Sequence, residues 1–283
     1  MHHVRAMTGD DIGLGLRLKE QAGWNQTAAD WARFLALEPE GCFVAELDGQ
    51  PVGTATTCTL ASVGWIAMVL VDPAARHQGI GTRLVTHAVA YLQQRGLRTI
   101  RLDATAQGRP VYERLGFAAE YELVRLEGRA EDRSERWRAN VEIVLPPVLE
   151  RESLAAIDQQ VTGTDRRRLL AQLWSERPEA VAQAVVSGSV QGYVMFRSGS
   201  RATQIGPAVA STAEAGCVLL DWACNRCAGQ PVLVDIPRDN RAAIDWALAR
   251  GLVPQREFTR MYREYPIWDQ PERLWASSGP EKG

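Results

Sequence analysis

The stretch that decides the fold is Val69-Leu70-Val71-Asp72-Pro73-Ala74-Ala75-Arg76-His77-Gln78-Gly79-Ile80-Gly81-Thr82-Arg83-Leu84, in which an apolar strand leads through a turn into a helix. Gly79 and Gly81 have no β-carbon, so the backbone there can turn tightly and bring its N–H groups close to a ligand. The first N–H groups of a helix have no partner within the helix, and the helix dipole favours negative charge at that end. This stretch therefore predicts a site for an anion such as a phosphate.

The residues on either side of the turn complete a strand, anion loop and helix. The run Ile66 to Val71 is almost wholly apolar, which is typical of a strand that is covered on both faces. After Gly81 the apolar residues recur at helical spacing, and Gly96 is suited to end the helix. No Gly-Lys-Ser/Thr follows the glycines, and their spacing does not match the dinucleotide-binding fingerprint, so neither of those phosphate loops is indicated.

Two motifs in order resemble one known family. Arg76-x-x-Gly79-x-Gly81 resembles the acyl-CoA pyrophosphate loop of the GNAT superfamily of N-acetyltransferases. The next predicted strand, Thr99 to Asp103, precedes Arg109-Pro110-Val111-Tyr112-Glu113-Arg114-Leu115-Gly116-Phe117, which resembles the family's Tyr-Glu-x-Leu-Gly-Phe segment. The resemblance implies an α/β fold with a mixed sheet flanked by helices. It also implies acetyl-CoA as co-substrate, with no metal.

Composition limits the class of protein. The chain has 283 residues, enough for two domains that each bury a core, and its formal net charge is −2. A net charge this close to zero gives no overall electrostatic field that would attract nucleic acid or an anionic membrane. No apolar run is long enough to span a membrane, the N-terminus lacks a signal peptide's apolar segment, and the five cysteines favour a reducing compartment. We therefore expect a cytoplasmic protein without nucleic-acid or membrane partners.

The chain contains an internal repeat. At an offset of 139 residues, Val4 aligns with Ile143, and the predicted hairpin turn at Asp48-Gly49 aligns with Ser187-Gly188. Further along, an offset of 135 residues aligns Gly116 with Gly251. We therefore predict a tandem duplication: a catalytic domain over residues 1–128, a charged linker or exposed connection over 129–140, and a second GNAT-like domain over 141–283.

The second copy lacks the motifs of the first. Its segment from Ile205 to Gly216 has no Arg-x-x-Gly-x-Gly, and Ala247 stands at the position of Tyr112, although Asn240 keeps the place of a common family asparagine. The second copy resembles the C-terminal module of two-domain GNAT proteins, with a structural or substrate-site role. We therefore expect one cofactor site per chain, in a monomer with pseudo-dimeric domain pairing or in a homodimer.

The resemblance assigns residues to the cofactor. In the family the strand before the loop splays at a bulge and leaves amides unpaired, so its backbone would hold the pantetheine arm and the thioester carbonyl, and the loop would hold the pyrophosphate. The residues expected to bind acetyl-CoA are Val69, Leu70, Val71, Arg76, His77, Gln78, Gly79, Ile80, Gly81, Thr82, Thr105 and Tyr112.

Acetyl transfer to an amine also needs an acid for the departing thiolate and a base for the amine. In the family the tyrosine of the second motif lies near the CoA sulfur, so Tyr112 is the expected general acid; the alternative is a helix aromatic that packs on the core. A phenol has a pKa of about 10 and a thiol one of about 8.5, so this proton transfer relies on proximity and local tuning. The strand Gly64–Val71 has no acidic residue, which leaves as base candidates Asp103 and Glu122, with Glu46 and Glu120 as alternatives.

The acceptor site is predicted from aromatic and amide residues near the expected docking region. Trp24, Asn25 and Trp65 are the candidates, because indole faces attract ammonium groups; Trp31 fits a helical core stripe better. The predicted activity is direct acetyl transfer from acetyl-CoA to a primary amine of a small molecule. The alternatives are a peptide or protein N-acetyltransferase and a non-catalytic acyl-CoA-binding sensor or scaffold.

Overall fold

The computed structural model describes residues 2–132, 140–145 and 151–283, and its contacts divide the chain into two units. Unit 1 comprises residues 1–120, 261–266 and 282, and unit 2 comprises residues 121–260, 267–281 and 283. Each unit therefore includes chain from both halves of the sequence. Of the predicted linker 129–140, residues 133–139 lie outside the described part of the chain.

The helices alternate with strands in both units. In unit 1 they are α1 (Ile12–Gln21), α2 (Ala28–Leu37), α3 (Ile80–Gln94) and α4 (Arg109–Arg114). In unit 2 they are α5 (Arg151–Thr162), α6 (Arg167–Glu176), α7 (Ala213–Arg226) and α8 (Arg241–Ala249). None of the described helices is long and apolar enough to cross a membrane.

The strands, in chain order, are β1 (His2–Ala6), β2 (Cys42–Leu47), β3 (Gln50–Leu60), β4 (Val63–Val71), β5 (Thr99–Ala104), β6 (Phe117–Arg129), β7 (Glu142–Val144), β8 (Val181–Val186), β9 (Ser189–Arg197), β10 (Thr203–Ala210), β11 (Pro231–Pro237), β12 (Val253–Glu264) and β13 (Leu274–Ala276). The first four residues of β6 belong to unit 1, and so do the last four residues of β12.

The sheet of unit 1 is mixed. Its order is β1-β2-β3-β4-β5, followed by the end of β12. The first four strands pair antiparallel, whereas β4 and β5 pair parallel. Helix α3 covers one face with a stripe of buried residues, which are Ile80, Leu84, Val85, Ala88, Val89 and Leu92. The predicted apolar helix face after Gly81 is thus confirmed, and the helix ends before Gly96, which has a left-handed φ of 80°.

Residues 261–266, which include the end of β12, complete the core of unit 1. Met261 is fully buried in the same cluster as Phe117 and the α3 stripe. Further along, the Gln93 side chain donates to the Glu264 carboxylate at 2.7 Å, and the Arg263 guanidinium donates to the Leu115 carbonyl at 3.1 Å. Unit 1 therefore needs residues that follow the motif ending at Phe117 by about 145 positions in the sequence.

The sheet of unit 2 has the order β12-β6-β11-β10-β9-β8-β7, with β13 also paired to β10. Helix α7 covers a core that contains Val218, Leu219 and Ala223. Strands β10 and β11 pair parallel, whereas β11 with β6, β10 with β9, β9 with β8 and β8 with β7 pair antiparallel. Unit 2 therefore repeats the mixed arrangement of unit 1.

The first strands and hairpins of the two units keep the predicted 139-residue offset. Strand β2 spans Cys42–Leu47 and β8 spans Val181–Val186. Their hairpin turns use left-handed pairs, with φ of 51° and 79° at Asp48 and Gly49 and of 49° and 77° at Ser187 and Gly188. These values match the type I′ turn, which suits the twist of the flanking strands. The predicted tandem α/β architecture is therefore confirmed.

A buried ion pair joins two strands of unit 2. The Arg125 guanidinium on β6 contacts Asp235 on β11 through two bonds, Nε to Oδ1 at 2.7 Å and Nη2 to Oδ2 at 2.8 Å. Both residues are at least 95% buried, and the guanidinium lies 5.1 Å from the centre of the Phe258 ring. Removing one partner of such a pair leaves the other charge buried without compensation.

We expect Asp235→Asn to lower the free energy of unfolding by about 3 to 5 kcal/mol, because Arg125 would keep its charge in a buried place. The matched control is Glu179→Gln, which breaks a solvent-exposed pair with Arg177 in the same unit and should cost less than about 1 kcal/mol. Urea unfolding of both variants measures the difference. Equal, small effects would show that the Arg125–Asp235 pair does not stabilise unit 2.

Candidate functional site

The turn between β4 and α3 begins with a fixed acidic residue. The Asp72 carboxylate accepts a hydrogen bond from the Ala74 N–H at 3.0 Å and forms an ion pair with Arg17 of α1. The Ala74 N–H, followed by Arg17, holds the pKa of Asp72 below its usual value. The Arg76 side chain folds back and donates to the Val71 carbonyl oxygen at 3.1 Å. Asp72 thus shapes the entry to the loop, and the Arg76 guanidinium secures the end of β4.

The loop itself has the backbone of an anion site. His77 and Gly79 adopt left-handed conformations with φ of 63° and 78°, and Gly79 is the N-cap of α3. Residues 77–79 are exposed. Left-handed residues next to right-handed ones direct neighbouring N–H groups to one side, and such concavities bind anions. The unpartnered N–H groups at the start of α3 add to this, as the sequence predicts.

Gly81 differs from Gly79 because the fold does not require a glycine there. It lies in the first turn of α3 outside the left-handed region, and a β-carbon added to it would meet only the Val71 side chain, at 3.7 Å. A glycine in a helix costs stability relative to alanine. The open space above Gly81 therefore suits the close approach of a ligand to the helix backbone.

Strand β4 separates from β5 just before the loop. Their parallel register covers only Val63 to Trp65 of β4. On the other side of β4, Met68 and Val69 together oppose the single residue Ala55 of β3, which is a β-bulge. Met68 has a left-handed φ of 50°, a strained conformation for a residue with a β-carbon. The bulge and the separation lie at the end of β4 where the sequence predicts the thioester to bind.

Tyr112 lies on α4 and is half-buried. Its ring makes an edge contact with Phe117, with centroids 6.0 Å apart, and lies on the backbone of Gly108, where an added β-carbon would be 3.0 Å from the ring. Burial raises the pKa of Tyr112 to about 12. Within the described residues the hydroxyl has no hydrogen-bond partner. Tyr112 therefore stays protonated at physiological pH, with its hydroxyl available to a ligand.

Thr105, the other predicted cofactor residue after β5, starts the turn into α4. Its hydroxyl oxygen accepts from the Gly108 N–H at 3.2 Å, and its carbonyl oxygen accepts from the Arg109 N–H at 2.9 Å. Thr105 thus holds the turn that carries Gly108 and Tyr112.

The candidates for the general base differ in their surroundings. Asp103 is half-buried near the end of β5 in unit 1. Ion pairs with arginines are formed by Glu46 (Arg5, 2.6 Å), Glu120 (Arg101, 2.5 Å) and Glu122 (Arg238, 3.0 Å). Glu122 is also exposed and belongs to unit 2. Asp103 thus belongs to the same unit as Tyr112, whereas Glu122 does not.

The predicted acceptor residues divide into core and less buried positions. Trp65 is 2% exposed and Trp31 is fully buried, with its ring against Gly15 of α1. Asn25 is 6% exposed and Trp24 is half-buried, both in the segment between α1 and α2. The segment before α2 therefore offers the less buried of the predicted acceptor residues.

Met68 and Gly108 were missed by the sequence reasoning. A left-handed residue is usually glycine, asparagine or aspartate, so methionine gives no signal for a bulge. Gly108 needs no special φ and is required only because the Tyr112 ring lies on it, a contact that local sequence does not display.

The corresponding region of unit 2 is filled by its own chain. The parallel register of β10 with β11 stops at Ile205, and beyond it β13 pairs with β10 at Ala208 and Val209. Ser277, the residue after β13, donates its N–H to the Asp235 carbonyl oxygen on β11 at 2.8 Å. In unit 1 the described residues place no strand at the equivalent part of β4.

The start of α7 is also covered. Thr212 caps the helix by accepting from the Ala215 N–H at 3.2 Å, and Glu214 follows in the first turn. The Trp275 ring lies against Gly216 so closely that a β-carbon there would be 2.0 Å from it. Unit 2 thus has a capped, acidic helix start where unit 1 has the open loop.

We expect Gly81→Glu to abolish binding of CoA while leaving the fold intact, because the carboxylate adds bulk and negative charge beside the anion loop. A glutamate in the first turn of a helix is itself favourable, so the melting temperature should not fall. Ala29→Glu is the matched control, since Ala29 is the exposed second residue of α2 as Gly81 is the second residue of α3. Calorimetric titration with CoA measures the outcome, and undiminished binding by Gly81→Glu would contradict the loop assignment.

Comparison with known proteins agrees with this geometry. Residues 16–117 match a model described as "Acetyltransferase (GNAT) family", and residues 154–276 match one described as "Acetyltransferase (GNAT) domain". An uncharacterized N-acetyltransferase of Methanocaldococcus jannaschii is 33% identical over 134 residues, which cover 40% of this chain and 59% of that protein. The holothin acyltransferase of a Pseudoalteromonas species is 23% identical over 263 residues, which cover 92% of this chain and 87% of that protein.

A solved structure has the same overall fold. The crystal structure of a putative acetyltransferase from Pyrococcus horikoshii superposes with a TM-score of 0.85 at 23% sequence identity, covering 100% of this chain and 96% of that one. The two family matches together span most of the chain and fall one in each half of the sequence. This chain belongs to the GNAT acetyltransferase family and carries two GNAT domains in tandem.

Proposed function

We propose that this protein transfers an acetyl group from acetyl-CoA directly to a primary amine of a small molecule, and that unit 1 alone carries the reaction. The observation that carries the proposal is the open end of β4. There the separation from β5 after Trp65, the bulge at Met68 and the anion loop at Gly79 follow one another along the chain. In unit 2, β13 fills the corresponding region.

The residues of unit 1 fit the parts of the co-substrate. The backbone N–H groups from Gly79 to Thr82 suit the pyrophosphate, and the open edge of Val69 to Val71 suits the amides of the pantetheine arm. Bound there, acetyl-CoA supplies the activated acetyl group. The exposed Arg83 in the first turn of α3 adds positive charge beside the loop.

Tyr112 is proposed as the proton donor to the departing thiolate. With its pKa raised to about 12 by burial, the phenol holds its proton at every physiological pH. A thiol has a pKa of about 8.5, so the transfer is unfavourable at equilibrium and requires the hydroxyl to lie close to the sulfur. The absence of a hydrogen-bond partner for this hydroxyl among the described residues is consistent with such a role.

The acceptor must present a neutral nitrogen. Asp103 and Glu122 are the proposed bases, and Asp103 is preferred because it lies in unit 1 with Tyr112, whereas Glu122 belongs to unit 2. Trp24 and Asn25 are proposed to line the acceptor site. A small-molecule acceptor is supported by the relative named as a holothin acyltransferase, which aligns over both halves of the chain.

The direct test is thiol release from acetyl-CoA with a panel of amino acids, polyamines, amino sugars and peptides. We expect turnover with at least one small primary amine, and calorimetry should give one acetyl-CoA bound per chain. Binding without turnover of any amine would favour a sensor or scaffold, turnover of peptides alone would favour a peptide N-acetyltransferase, and two bound molecules per chain would contradict the assignment to unit 1 alone.

We expect Tyr112→Phe to lower kcat by about a hundredfold, within the range for general acid catalysis, with little change in the Kd for acetyl-CoA. Tyr91→Phe is the matched control. It removes a hydroxyl that donates to Glu38 at 2.7 Å, so it should lower the melting temperature and leave kcat unchanged. A Tyr112→Phe enzyme with the wild-type kcat would exclude Tyr112 as the acid.

A further inference from the structure

The bulge in β4 is held by a side chain from the neighbouring strand. The Thr54 hydroxyl on β3 donates a hydrogen bond to the Met68 carbonyl oxygen at 2.9 Å. Thr54 is fully buried and Met68 is 2% exposed, so water does not compete for this bond. The bond therefore fixes the direction of the carbonyl at the one strained residue of β4.

The direction of this carbonyl also sets the direction of an amide. The peptide bond between Met68 and Val69 is planar and trans, so its C=O and N–H point to opposite sides. With the Met68 oxygen turned toward the Thr54 hydroxyl, the Val69 N–H points away from it. The other neighbour of β4 is β5, whose register with β4 ends at Trp65. The Val69 N–H therefore points away from the Thr54 hydroxyl, on a part of β4 that is no longer in register with β5.

Unit 2 does not share this arrangement. The residue at the same 139-residue offset from Thr54 is Tyr193 of β9, which is fully buried. Its hydroxyl donates to the Asp158 carboxylate at 2.5 Å. The Thr54 hydroxyl, which holds the bulge, therefore belongs to unit 1, where the edge of β4 is open, and its counterpart in unit 2 makes a different bond.

We propose that Thr54 is a positioning residue that aims the Val69 N–H at the carbonyl oxygen of the bound thioester. This inference rests on the proposed function. A backbone N–H that is already aimed stabilises the negative charge developing on that oxygen without reorganisation during the reaction, and loss of one such donor costs about a hundredfold or more in rate. Loss of Thr54 loosens the donor without deleting it, so a smaller effect follows.

The expected result for Thr54→Val is a fall of kcat by about tenfold with the Kd for acetyl-CoA within about twofold of wild type. Thr54→Ser keeps the hydroxyl and should restore kcat. Thr56→Val is the matched control, because the Thr56 hydroxyl is buried on the same strand and has no hydrogen-bond partner among the described residues. It should leave both constants unchanged.

A spectroscopic readout needs no acceptor. In wild type, isotope-edited infrared spectra of bound acetyl-CoA labelled with ¹³C at the carbonyl should show the C=O stretch at lower frequency than in solution. Thr54→Val should move it back toward the solution value, whereas Thr54→Ser and Thr56→Val should not. Thr54→Ala is a second variant without the hydroxyl, should valine prevent folding.

The outcomes separate the two proposals. Failure of wild type to bind acetyl-CoA would overturn the proposed function and this inference with it. Binding with an unshifted carbonyl frequency, or with the same shift in wild type and in the variants without the Thr54 hydroxyl, would overturn the role of Thr54 alone.

Discussion

The architecture of unit 1 depends on a constraint at β4: the strand must leave β5 after Trp65 although backbone polar groups in a sheet need partners. A β-bulge at Met68 and Val69 lies where the two strands have separated, and a bulge bends its strand and leaves the extra residue out of the ladder. The strain of a left-handed methionine is offset by the buried bond from Thr54. The loop at Gly79 and the helix that follows take their positions from the end of this strand.

The two units show two solutions to the same constraint. In unit 1 the edge of β4 beyond the bulge stays open, and a glycine-containing loop precedes α3. In unit 2 the chain itself occupies the gap, because β13 pairs with β10 and Trp275 packs against the start of α7. The strands, hairpin turns and helices thus recur in both units, at an offset of 139 residues up to the hairpins and at a shorter offset beyond them, while the open edge and the glycine loop occur in unit 1.

The sequence predicted those parts of the molecule that local rules control. Glycine spacing gave the loop, apolar spacing gave the buried face of α3, and repeated turn residues gave the two hairpins. The family resemblance implies a bulge in this strand, but the sequence could not place it at Met68, because no residue type there marks a left-handed conformation. It also missed contacts made across long separations, such as Thr54 with Met68, or Met261 in the core of unit 1. The ion pairs of Glu46, Glu120 and Glu122 likewise emerge only in three dimensions.

The central claim is that the edge and loop of unit 1 form the acetyl-CoA site, with the Val69 N–H facing the thioester. A crystal structure of the complex with acetyl-CoA tests it most directly. We expect pyrophosphate oxygens on the backbone N–H groups that begin α3, and the thioester oxygen about 3 Å from the Val69 nitrogen. A cofactor bound at the start of α7, or a thioester oxygen turned away from Val69, would contradict it.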